Sequence, residues 1–241
     1  LDFLAQYGAL PFGFNPPRIW AALNAIQRSG EPSFVQPSYL NAAGELAQRL
    51  LAVAPRGMAY VTFANSGAEA VEAAIKLCRS TTGRHKILSA SGGFHGKTLG
   101  ALSATAKPKY QQPFGAPAPG FDYVPYGDME ALHQALRTGS YAGFLVEPIQ
   151  GEAGVLVPPA GYLAGVRAAC DEHDVLFIAD EIQSGLGRTG STLALDQEGV
   201  RADLYTLGKA LGGGIMPVSA VVGRRDVLGV LRPGQHGSTF G

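Results

Sequence analysis

Lys209 closes the apolar run DLYTLG and is followed at once by Ala-Leu and three consecutive glycines, so an amine stands beside bare backbone with room for a bulky covalent adduct. Condensation with a carbonyl needs the neutral amine, which a partly desolvated pocket supplies by disfavouring the ammonium. Taken alone, a lysine there reads more simply as a solvated strand end, and only its company argues otherwise. Asp180 is the first of that company. It ends VLFIA, so its carboxylate emerges from an apolar core, where an anion needs a cation or several donors. A protonated ring nitrogen is one such cation, and holding it keeps a heteroaromatic ring an electron sink. A helix cap or a salt bridge would serve the carboxylate equally well. Ser66-Gly67-Ala68-Glu69 follows a strand and opens a helix, so its backbone N–H groups and the positive end of the helix dipole offer an anion site of phosphate size. The same residues spell a capping box, Ser66 as N-cap and Glu69 at the third helical position, complete without ligand. Both readings hold together only where free donors remain. Phe94, in GGFHGK, can lay an aromatic face against a planar ring. His95 has no second ligand at helical or hairpin spacing, which argues against metal duty.

These groups need a scaffold that brings them together. Five apolar runs of strand length alternate with helical patterns: YVTFA at 60–64, HKILSA leading into GGFHGK, AGFLV ending at Glu147, VLFIA ending at Asp180, and DLYTLG ending at Lys209. Amphipathic helices are expected over 68–79, over MEALHQAL after Asp128, and over 162–173. Such alternation predicts an α/β fold, a mostly parallel sheet between two helical layers (three-layer αβα). Ligands of open α/β sheets lie outside the carboxyl ends of the strands, where these runs deliver their polar residues. The Pro/Gly stretch over 111–121 is expected to be a loop without regular structure. One decoy stands out: Gly185-Leu-Gly-Arg-Thr-Gly190 matches G-x-G-x-x-G, with Asp203 near the distance a dinucleotide fold wants. It begins beyond its strand end, opens no amphipathic helix, and Asp203 begins a strand instead of ending one, so nucleotide binding is set aside.

The bulk properties agree. A chain of 241 residues with 46% apolar and 16% charged content suits one large folded domain. Lys plus Arg and Asp plus Glu balance at 19 each, so no net field favours nucleic acid or an anionic membrane, and a small ligand fits better. Cys78 and Cys170 lack metal or disulfide spacing and read as reduced structural thiols of a cytoplasmic protein. No basic leader or membrane-length apolar run occurs. Beginning at Leu1 and stopping inside a Gly-rich turn, the chain reads as a fragment.

NSGAEA, FHGKT, EPIQGEAG, FIADEIQSGLGRTG, LGKALGGG and GSTFG, in this order and spacing, resemble the class III aminotransferases of fold type I, the ornithine, acetylornithine and putrescine aminotransferase group. The resemblance covers essentially the whole chain. It implies an N-terminal segment over 1–50, a pyridoxal 5'-phosphate-binding large domain over 51–241, and a C-terminal small domain outside the chain. Lys209 is then the Schiff-base lysine and the base that moves the proton between substrate and cofactor. Asp180 holds the pyridine nitrogen, Gln183 lies near the phenolic oxygen, Ser66, Gly67 and Ala68 belong to the phosphate cradle, and Phe94 stacks on the ring. Thr239, beside Ser238, reaches the phosphate of a neighbouring subunit, which implies a homodimer with shared active sites.

On the substrate side the resemblance sets Tyr7 and Tyr39 where ornithine-type members have substrate-contacting tyrosines. Lys97 replaces the arginine that those members use on a carboxylate; Arg grips a carboxylate in two places and Lys only as a point charge. Putrescine-type members share FHGK, whereas EPIQGEAGVLVPPAGYL and LRPGQHGSTFG look closest to ornithine aminotransferases, so the donor stays open. Glu152 matches a glutamate paired in relatives with an arginine of the missing domain, and Glu147 reads as a supporting carboxylate. The expected activity is amino transfer from an ω-amine such as ornithine, acetylornithine or putrescine to a 2-oxo acid such as 2-oxoglutarate. An aminomutase of the same fold, or an inactive truncated cofactor-binding domain, is the alternative.

Overall fold

The computed structural model describes residues 1–32 and 40–239. In chain order its elements are α1 (Ala5–Gly8), α2 (Pro17–Ser29), α3 (Asn41–Val53), β1 (Met58–Ala64), α4 (Gly67–Thr82), β2 (Lys86–Ala90), α5 (Leu99–Ala104), α6 (Pro108–Gln111), β3 (Phe121–Val124), α7 (Met129–Leu136), β4 (Tyr141–Val146), α8 (Tyr162–Glu172), β5 (Leu176–Asp180), β6 (Leu204–Leu207), β7 (Ser219–Arg224) and α9 (Arg225–Leu228). The strands form one sheet in the order β1-β7-β6-β5-β4-β2-β3. The neighbours from β6 through β5, β4 and β2 to β3 pair in parallel, and β7 runs against both β1 and β6.

Successive residues of the central strands enter different cores. Leu88, Phe144, Phe177 and Tyr205 join one apolar cluster with residues of α7 and α8, while Ile87, Leu145, Ile178 and Leu204 join a second with residues of α4. This period-two alternation puts a helical layer on each face, the expected αβα arrangement. Every residue of β4 is buried, which is why its sequence reads as an unbroken apolar run. The helix α4 packs closely because its buried face is rich in alanine: Ala70, Ala73 and Ala74 beside Val71, Ile75, Leu77 and Cys78. It extends over 67–82 instead of 68–79, because the capping box adds a residue in front and Gly83, at φ 69°, ends it in the left-handed conformation.

Two strands escape the sequence reading. The first, β3, is four residues between Gly120 and Pro125 and becomes a strand by pairing with β2, Ile87 opposite Phe121. The second, β7, follows the glycine-rich turn and returns antiparallel beside β6 without a crossover helix. The stretch 111–121 also differs from the expected structureless loop. The helix α6 ends at Gln111, a 3₁₀ turn follows over Gln112–Phe114, and Phe121 already belongs to β3. Both cysteines are free and buried, as expected. No helix among the described residues is long and apolar enough to cross a membrane.

Candidate active site

The carboxyl ends of β1, β2, β4, β5 and β6 deliver the residues that converge on one cavity of about 180 Å³. Gly67, Ala68, Phe94, His95, Gly96, Glu147, Glu152, Asp180, Ile182, Gln183 and Lys209 line it. Seven of the residues expected at the site, Gly67, Ala68, Phe94, Glu152, Asp180, Gln183 and Lys209, are therefore brought together from segments far apart in the chain.

At the α4 end of the cavity the capping box is formed. Ser66 Oγ accepts from the Glu69 N–H at 3.3 Å, and Glu69 Oε2 accepts from the N–H groups of Asn65 and Ser66 at 2.7 and 3.0 Å. The Ser66 side chain thus serves the helix, and the N–H groups of Gly67 and Ala68 remain unbonded among the described residues. Capping and anion binding are compatible, since two donors at the positive end of a sixteen-residue helix face the cavity. Backbone approach there is close. A Cβ on Gly96, whose φ is 131°, would lie 2.6 Å from Ala68 Cβ, and one on Gly67 would lie 3.0 Å from Ile182 Cδ1.

Asp180 is buried and held by three donors. Its Oδ2 lies 2.6 Å from His95 Nδ1, and its Oδ1 accepts from the Thr206 hydroxyl at 3.0 Å and the Ile182 N–H at 3.2 Å. A carboxylate offers about four acceptor positions, so one remains for a group in the cavity. Thr206 stands directly opposite Asp180 in the β5–β6 register. The sequence gives no local sign of this role, since Thr206 is a buried hydroxyl in the short strand LYTL beside Tyr205. His95, set aside as a metal ligand, is here the partner of Asp180.

Lys209 begins a 3₁₀ turn after β6 and adopts φ 42°. A side-chain-bearing residue accepts the left-handed region only where its surroundings impose it. Its Nζ has no hydrogen bond or ion pair among the described residues. Phe94 lines the cavity, with the Tyr110 ring perpendicular to it at 6.4 Å between centroids and Lys107 Nζ 6.0 Å from its centroid. The Phe94 N–H donates to Glu147 Oε1 at 2.8 Å, and Gly151 N–H donates to Glu147 Oε2 at 3.1 Å. Glu147 is thus the supporting carboxylate the sequence suggested. Burial pushes its carboxyl above the usual carboxylate range, while nearby His95 pulls it back.

Other expected residues lie apart. Tyr7 is half exposed, and its carbonyl, rather than its ring, accepts from Gln183 Nε2 at 3.0 Å. Lys97 is exposed with Nζ 5.2 Å from the Tyr110 ring centroid, and neither it, Ser238 nor Thr239 lines the cavity. Tyr39 lies outside the described residues. The Glu152 carbonyl accepts from Lys107 Nζ at 3.1 Å, leaving its carboxylate to the cavity. The glycines over 185–190 form turns, and Asp203 is buried among Arg167, Arg224 and the Phe177 N–H, so the dinucleotide pattern has no site behind it. Among the described residues, one group of metal-ligand chemistry exists, His133, Glu172 and His173, and none of the three lines the cavity.

Comparison with known proteins agrees with this geometry. The family model described as aminotransferase class-III matches residues 1–241. Acetylornithine aminotransferase of Methanopyrus kandleri is 50% identical over 84% of this chain and 52% of its own length. Putrescine aminotransferase of Pectobacterium atrosepticum is 45% identical over 100% of this chain and 53% of its own. Among solved structures, the ornithine aminotransferase of Toxoplasma gondii crystallised with oxidised glutathione superposes with a TM-score of 0.92 at 39% identity. That match covers 99% of this chain and 58% of the other, whose active site is described as partially occupied by PLP. The chain spans a little over half the length of these relatives.

Proposed function

The chain belongs to the class III aminotransferase family, a group dependent on pyridoxal 5'-phosphate, and from that premise we propose that it carries the site of an amino-transfer enzyme. The donor is an ω-amine of the ornithine, acetylornithine or putrescine kind, and the acceptor is a 2-oxo acid such as 2-oxoglutarate. One observation carries this reading: a lysine amine without a partner, a thrice-anchored aspartate with an acceptor position to spare, and two open helix N-terminal N–H groups line a single cavity.

The residues fit the cofactor. Lys209 would hold it covalently, Asp180 would pair with its ring nitrogen, the Gly67 and Ala68 N–H groups would take its phosphate beside the Ser66 cap, Phe94 would face the ring, and Gln183 would serve its phenolic oxygen. When bound, the cofactor supplies an electron sink that lets the carbon bearing the amine lose a proton. Lys209 then carries that proton at Nζ. Asp180 is held by fixed donors, so it needs no reorganisation when charge develops beside it. Glu152 and Lys97, with Tyr7 and Tyr39, belong to the substrate side.

The working form we propose is a homodimer. The helix α2 buries none of its residues within this chain, and Phe3, Phe12 and Phe14 on the same N-terminal segment are strongly exposed. Apolar surface of that extent marks an interface. Thr239 reaches the partner's cofactor phosphate in this reading, and Ser238 beside it belongs to the substrate side. The two free buried cysteines suit a cytoplasmic protein. The domain reading is retained: a segment over 1–50, a cofactor-binding domain over 51–241, and a small domain supplied by a longer chain.

Borohydride reduction of the purified holoenzyme tests the central assignment. The wild-type chain retains covalent cofactor after reduction, and Lys209→Ala retains none; cofactor fixed in the Lys209→Ala variant would refute it. Turnover of ornithine, acetylornithine and putrescine, each with and without 2-oxoglutarate, then identifies the donor. Product formed without any acceptor would instead indicate an aminomutase.

A further inference from the structure

The Asp180 carboxylate is held unevenly. Oδ1 accepts two hydrogen bonds, from Thr206 and Ile182, whereas Oδ2 has a single anchor, His95 Nδ1 at 2.6 Å. Rotation about the terminal torsion of an aspartate is soft, so hydrogen bonds rather than rotamer wells decide where each oxygen points. The His95 side chain is fully buried. In the tautomer that carries its hydrogen on Nδ1 the ring donates to Oδ2. Its Nε2 is enclosed with no hydrogen-bond partner among the described residues. Glu147, the neighbouring carboxylate, gives both oxygens to the Phe94 and Gly151 N–H groups and none to the ring.

The ring itself is fixed from its own backbone. The His95 N–H donates to Thr105 Oγ1 at 2.8 Å, and the Thr105 hydroxyl is within 3.2 Å of the Gly96 carbonyl. Glycine is required on both sides of it. A Cβ on Gly93 would stand 2.9 Å from His95 Nε2, and one on Gly96 would strike Ala68. The loop is therefore packed so that the imidazole can adopt one position, and that position meets Oδ2.

We propose that His95 is a positioning residue: its Nδ1–H fixes the Asp180 carboxylate in the one orientation that leaves an acceptor position on the cavity side, where the cofactor's ring nitrogen is held. This rests on the reading of the cavity as a pyridoxal 5'-phosphate site. The mechanism is indirect, since His95 acts on the ring through Asp180.

Three variants of the full chain separate a hydrogen-bonding role from a packing role. In His95→Asn the side-chain amide nitrogen falls near the Nδ1 position. His95→Phe keeps a ring without a donor, and His95→Gln keeps size and polarity but carries its nitrogen toward the Nε2 position. Each is stripped of cofactor, titrated with pyridoxal 5'-phosphate, and followed by absorbance and by the visible circular dichroism that a firmly oriented ring acquires. We expect His95→Asn to bind within about threefold of wild type with the dichroism retained. His95→Phe and His95→Gln should each lose about tenfold in affinity, with most of the dichroism gone. If His95→Phe proves insoluble, the Asn and Gln pair decides the question alone. Wild-type affinity and dichroism in His95→Gln, or a greater loss in His95→Asn than in the other two, overturns the proposal. Failure of the wild-type chain itself to take up pyridoxal 5'-phosphate would instead sink the functional reading on which it stands.

Discussion

At the scale of single residues, space and charge make separate demands. Gly96 has φ 131° and no room for a methyl group against Ala68. We therefore expect Gly96→Ala to lower the unfolding free energy by about 2 kcal/mol or more and to weaken cofactor binding, because the FHG loop must retreat from α4. Urea denaturation and cofactor titration measure the two effects, and a variant as stable as wild type would show that the approach is not needed. Glu181, next to Asp180, is buried and accepts from Ser184 and Leu195. Burial raises its carboxyl above the ordinary value, against the pull of those donors. A carboxylate whose folded-state value is raised binds its proton more tightly when folded. Its contribution to stability is complete below the unfolded value of about 4.3 and is lost as pH rises through the folded value. Glu181→Gln removes the charge and keeps one acceptor oxygen in place of two, so its stability relative to wild type should improve as pH rises above the unfolded value of about 4.3. Parallel stability curves for the two proteins would contradict this.

At the scale of elements, α4 has two duties at one end. Its capping box stabilises the first turn, and the N–H groups left over face the cavity. Ser66→Ala removes the cap acceptor, and we expect a loss of about 1 kcal/mol, against a few tenths for Ser66→Gly. Thermal or urea unfolding reads the difference, and equal effects of the two substitutions would argue that the cap contributes nothing. Behind the sheet's other end, Asp203 binds α8 through Arg167, β7 through Arg224 and β5 through the Phe177 N–H. That network explains why an aspartate in the dinucleotide spacing is structural: it precedes β6, where it pairs with Arg167 of α8 and Arg224 at the end of β7, at the opposite edge of the sheet from the cavity.

At the scale of the whole molecule, the seven-stranded sheet supplies a rigid floor, while the N-terminal segment lies on it lightly. Gln183 reaches the Tyr7 carbonyl and Arg188 the Gly8 carbonyl, yet α2 has no fully buried residue, only Ile19 and Leu23 being partly covered. An amphipathic helix whose apolar face is only partly covered gains stability when another surface covers the rest. Sedimentation of the full chain should give twice the chain mass, and removal of residues 1–30 should shift it toward monomer with loss of cofactor affinity. A truncated chain that stays dimeric would assign the interface elsewhere.

Much of the site was legible because its residues sit at strand ends, and strand ends can be read from where apolar runs stop. Asp180 and Lys209 end such runs, and Ser66 to Glu69 spell a helix start whose capping geometry is local, so sequence alone determined the αβα class, the edge of the sheet where the candidate site lies, and several of the residues that line its cavity. It could not give β3, a four-residue strand that exists by pairing with β2, nor the reversed direction of β7, which depends on how a glycine-rich turn closes. His95 and Thr206 were invisible as partners of Asp180, being 85 and 26 positions away from it. Hydrogen bonds between distant segments are fixed by the register of strands and the packing of loops, which no local pattern encodes. Tertiary structure alone decided that Lys97 and Tyr7 stand outside the cavity while Glu147 lies on its wall, because it sets which side of a loop meets the sheet.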